Sequence, residues 1–114
     1  MKRLDSITLP AHQHRALIDL RQRLLNTRGI EAIILYGSAA RGEADEESDL
    51  DLLILTRQPL TRVVRHEITD IVFEVNLRYD TNFSTLVVDR NSWEVGPVSV
   101  LSLRNDILKD GVLV

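Results

Sequence analysis

The chain has 114 residues, with 14 Lys and Arg against 17 Asp and Glu, a formal net charge of -3, and no cysteine. That length fits one ordinary domain and is too short for two independent cores. The charge balance argues against general nucleic-acid binding, the lack of cysteine excludes disulfides and thiolate metal sites, and no apolar run is long enough for a membrane span or a signal peptide. The expectation is one cytoplasmic domain over residues 1–114, with no membrane segment and no direct nucleic-acid contact.

Thr8 can cap a first helix with Pro10 in its opening turn, running to about Asn26. Leu17, Leu20 and Leu24, with Ile18 and Leu25 beside them, give it an apolar face at helical spacing. Gly29 is a natural stop past Arg28. Ile30 to Tyr36 reads as a buried strand, Gly37 to Ala44 as a turn with a short helix, and Leu50 to Leu55 as a second buried strand. Thr61 to Tyr79 carries a helical stripe of Val64, Ile68, Ile71, Val72, Val75 and Tyr79. Within it, residues 71–77 also alternate like a strand, but the length of the pattern favours helix. Phe83 to Val88 reads as a third strand. Pro97 opens a last helix ending near Lys109, with Gly111 as its cap. The sum is an α/β domain with a three-stranded sheet and about four helices.

The chemistry concentrates between the first two strands. Gly37 lets the backbone turn sharply and leaves space for a phosphate. Ser38 lies where the short helix starts, so its hydroxyl and the first free N–H groups can hold a terminal phosphate. Arg41 can pair with phosphate or hold the acidic loop Glu43, Asp45, Glu46 and Glu47. Asp49 and Asp51 stand two apart on a strand, hence on one face and about 6.6 Å apart along it. Two such carboxylates can converge on magnesium, which takes few protein ligands and fills its shell with phosphate oxygens and water. His12, His14 and His66 form no metal-spaced cluster. Trp93 reads as partial core or as a lid over it.

The pattern Gly37-Ser38, ten residues, Asp49-Leu50-Asp51, with the fuller string Gly37-Ser38-Ala39-Ala40-Arg41-Gly42, resembles the polymerase-beta-like nucleotidyltransferase superfamily, and in particular its minimal nucleotidyltransferases. The ending Ile107-Leu108-Lys109-Asp110-Gly111-Val112-Leu113 is similar to theirs as well. The resemblance implies a small fold with a mixed three-stranded sheet, Asp49 and Asp51 as metal ligands and catalytic carboxylates, and a nucleotide site at Gly37, Ser38 and Arg41. It further implies ATP as substrate, Mg2+ as cofactor, and transfer of AMP to a partner such as a helical HEPN ribonuclease toxin, in a homo- or hetero-oligomer. The superfamily usually adds a third catalytic carboxylate from the third strand. A strand over 71–77 would make Glu74 that residue; a strand from Asn82-Phe83-Ser84 would put Asn82 in its place. Asn cannot act as a general base at neutral pH. An antitoxin acting by contact alone, with a weakened site, is the other reading of the same residues.

Overall fold

A computed structural model describes residues 1–114. Helix α1 spans Ala11–Leu25 and α2 spans Arg62–Tyr79. On α1 the buried side chains are Gln13, Ala16, Leu17, Leu20 and Leu24, spaced by three and four residues as one helical face requires. Pro10, with no side-chain cap, precedes α1 in place of the expected Thr8; its carbonyl accepts from His14 N–H at 3.0 Å. Thr61 caps α2 by accepting from the Val64 N–H. The segment open to two readings is therefore helix throughout, and Ile68, Val72 and Val75 are its buried face.

The sheet has five strands rather than three. To the expected strands β2 (Ile30–Tyr36), β3 (Leu50–Thr56) and β4 (Phe83–Asp89) are added β1 (Lys2–Arg3) and β5 (Val112–Leu113), each of two residues. Their order is β1-β5-β2-β3-β4. β2 runs antiparallel to both β3 and β5, while β4 lies parallel to β3 and β1 parallel to β5. The sheet is mixed, as expected. The right half of the chain differs in one further respect. A short helix α3 (Arg90–Glu94) follows β4, and the helix expected from Pro97 is split into a 3-10 turn at Pro97–Val100 and α4 at Ser102–Asp110. Leu101 between them is extended, with ψ 144°.

Both faces of the sheet are apolar but unequally covered. Ile33 and Leu35 of β2, with Leu50, Leu52 and Ile54 of β3, pack against α1 and α2 in the main core. The alternate residues Ile34 and Leu53 join Val88, Trp93 and Ile107 in a smaller cluster under α3 and α4. Strand alternation assigns Asp51 to the same side as Leu53, so the carboxylates sit where that second face is left open. No helix is long and apolar enough to cross a membrane.

Candidate active site

Tyr36 is the last residue of β2 and pairs across the sheet with Asp51. The chain then turns through Gly37, which has φ +77°. That left-handed value suits glycine, and a Cβ there would lie 2.8 Å from Asp51 Oδ2. The turn and the carboxylate therefore interlock. Ser38 follows in helical conformation, its side chain uncommitted to any cap, and its carbonyl accepts from the N–H groups of Arg41 (3.1 Å) and Glu43 (3.0 Å). The expected short helix is a 3-10 helix at Ala39–Arg41, with Ala39 and Ala40 buried, and Gly42 closes it at φ 77°.

Asp49 lies just before β3 and is exposed; Asp51 is half-buried. The Asn82 side-chain amide donates to Asp49 Oδ1, and the Leu50 N–H donates to the Asn82 carbonyl at 3.0 Å. Ser84 of β4 pairs with Asp51. The β4 residues on the carboxylates' face are therefore Ser84, Leu86 and Val88, with Asn82 just before them, and none is acidic. No group of three or more His, Cys, Asp or Glu side chains is placed to hold a metal ion. Two carboxylates suit magnesium that arrives on a triphosphate, because phosphate oxygens complete its shell. The donor set fits that ion and would leave a bare cation poorly held.

The Tyr36 phenol has its pKa raised, first by burial and then by the Asp51 charge. The phenol is therefore neutral at pH 7 beside Asp51. A polar cleft of about 270 Å³, lined by Glu46, Glu47, Ser48, Asp80, Thr81 and Asn82, flanks the pair. Its acidic lining is electrostatically unfavourable for a free anion.

The structure thus brings together Gly37, Ser38, Asp49, Asp51 and Asn82. It leaves Arg41 at the surface, 3.5 Å from Glu43. Glu74 is placed elsewhere: it lies on α2, exposed, in an ion pair with Arg23 of α1. The strand over 71–77 that would have made it the third carboxylate does not form. Tyr36 carried no signal as a site residue, since a tyrosine ending an apolar strand reads as core.

A nucleotidyltransferase domain family model matches residues 17–114. Two proteins of Methanocaldococcus jannaschii, provisionally named protein adenylyltransferases, are similar to this chain. One is 47% identical over 60 residues, which is 51% of this chain and 41% of that protein. The other is 40% identical over 58 residues, 51% of this chain and 59% of that protein. The alignments thus span about half of this chain and less than two thirds of either relative. Among solved structures, a toxin–antitoxin complex with AMP-PNP superposes with TM-score 0.55 at 20% identity, over 87% of this chain and 69% of that one. A protein described as a minimal nucleotidyltransferase gives TM-score 0.55 at 22% identity, over 87% of this chain and 88% of that one. A Shewanella oneidensis complex of a tri-AMPylated HEPN toxin with its MNT antitoxin gives 0.50 at 16%, over 90% and 70%. At these identities the likeness is one of fold.

Proposed function

The chain belongs to the nucleotidyltransferase domain family, and from that membership we propose that it acts in the cytoplasm, as a single domain, to move AMP from ATP onto a hydroxyl of a partner protein. The observation that carries this reading is the fit of Gly37 against Asp51, where a Cβ would stand 2.8 Å from the carboxylate oxygen. That fit seats the Gly37 turn directly against the Asp51 carboxylate. Asp49 and Asp51 would hold magnesium together with triphosphate oxygens. The ion, when bound, offsets negative charge on the phosphates and on the leaving pyrophosphate.

The chain's own residues have separate tasks in this scheme. Gly37 gives the triphosphate close approach to the backbone. Ser38, its hydroxyl free of any cap, donates to a terminal phosphate oxygen. Asn82 fixes Asp49 by donating to Oδ1, which leaves Oδ2 for the cation. The acceptor oxygen bonds to the α-phosphorus as the bond to pyrophosphate breaks, and its proton passes to water or to a base on the partner. A HEPN-type toxin is the partner we propose, by analogy with the complexes of similar fold.

Incubation with ATP labelled at the α-phosphate, magnesium and the candidate toxin tests this directly. Label should appear on the toxin, and Asp49→Ala should remove it without changing the thermal melt. Transfer by Asp49→Ala at the wild-type rate would overturn the assignment. A second reading, neutralisation of the toxin by contact alone, is favoured by the absence of a third acid beside the pair. It predicts that Asp49→Ala still binds and silences the toxin fully.

A further inference from the structure

We infer that Gln13 and Lys2, both outside the family-matched region, hold the loop between the Gly37-Ser38 turn and the Asp49/Asp51 pair in its working shape. Gln13 is then a positioning residue for the carboxylates. The family match begins at residue 17, so nothing in it assigns a role to either side chain.

Gln13 is the odd member of the buried face of α1. It is 1% exposed, and its Nε2 donates to the Asp45 carbonyl at 2.7 Å. Its Oε1 is buried with no partner. A buried amide with an unmet acceptor is destabilising, and an apolar side chain of similar volume would suit the surrounding core better. Packing therefore does not explain the glutamine, whereas the bond to the loop does. A local rule broken in the core is expected where a site is being supported.

The Asp45 carbonyl it grips is a junction. The Ser48 N–H donates to the same oxygen at 3.3 Å. Asp45 Oδ1 accepts from the Glu47 N–H at 2.9 Å and from Ser48 Oγ at 3.1 Å, while Ser48 Oγ accepts from the Asp45 N–H at 2.8 Å. Ser48 immediately precedes Asp49, so the position of Asp45 is passed to the first carboxylate. At the other end of the loop, Lys2 Nζ donates to the Ala40 carbonyl at 3.0 Å. Glu43 lies between the two ties, Asp45 at the second and Glu46 and Glu47 just beyond it, and their like charges repel one another and Asp49. The ties at Ala40 and Asp45 oppose that repulsion.

The nucleotide part of the test rests on the proposed function; the exchange part does not. Gln13→Leu and Lys2→Met are made in the full chain. Thermal melting, amide hydrogen exchange over residues 43–49, and calorimetric affinity for ATP with magnesium are then measured. Gln13→Leu should melt at or above the wild-type temperature. The Glu47 and Ser48 amides should nevertheless exchange up to about tenfold faster, and the Kd for the magnesium nucleotide should rise by a similar factor. Lys2→Met should move both in the same direction by less. Wild-type exchange and affinity in a folded Gln13→Leu would overturn the inference. If Gln13→Leu does not fold, the surface variant Lys2→Met decides, and unchanged exchange there overturns it. If the wild-type chain binds no nucleotide, exchange alone tests the brace, and the failure belongs to the nucleotide reading.

Discussion

At Gly37 two independent demands meet on one atom position. The backbone is left-handed there, at φ +77°, and a side chain would run into Asp51 Oδ2. Gly37→Ala is expected to lower unfolding free energy by about 1–3 kcal/mol, the usual strain of a non-glycine residue in that region. It should weaken magnesium–ATP binding by more than tenfold, because the carboxylate must move. Urea denaturation and calorimetry report the two effects separately, and a folded variant with wild-type affinity would show that Asp51 is not part of the site. At this scale the sequence was most readable where the chemistry is local: Gly-Ser and Asp-x-Asp each place their groups within a few residues. Glu74 against Asn82 could not be settled in that way. The choice depends on which residues stand beside Asp49, and that is fixed by the register of β4 on β3, across the whole of α2.

The long elements were legible because their periodicity is sustained; α2 outlasted its embedded strand-like alternation since eighteen residues of helix bury one continuous face. The short elements were not. β1 and β5 have two residues each, too few for any period, and exist because neighbouring backbone pairs with them. α3 is capped by Asp89, whose carboxylate accepts from the Ser92 N–H (3.1 Å) and hydroxyl (2.9 Å). These bonds, led by the backbone one, hold its pKa below the ordinary 3.8. A carboxylate with a depressed folded pKa stabilises above the unfolded value and loses that contribution as pH falls through the folded one. Asp89→Asn keeps an acceptor at the cap but cannot titrate. Its stability should therefore fall less steeply than wild type below about pH 4, read from Trp93 fluorescence, since Trp93 is buried beside that cap. Equal acid limbs would mean that Asp89 does not contribute.

Over the whole molecule, the site's openness follows from how the sheet is covered. α1 and α2 close one face, while α3 and α4 close only part of the other. The pair of carboxylates is left beside an open polar cleft rather than inside an enclosed pocket. The α/β class and the order of the main elements were readable from hydrophobic pattern. The extent of the sheet was not, because β1 and β5 pair the chain's two ends, and the split of its second face was not, because it depends on where Trp93 and Ile107 pack on distant strands.

The most direct measurement is calorimetric titration with ATP, with and without magnesium, of the wild-type chain and of Asp49→Asn/Asp51→Asn. Binding that requires magnesium and is lost in the double variant, with the melt unchanged, is the predicted result. No binding to the wild-type chain, or equal binding to both, would contradict a nucleotide site at Gly37, Ser38, Asp49 and Asp51.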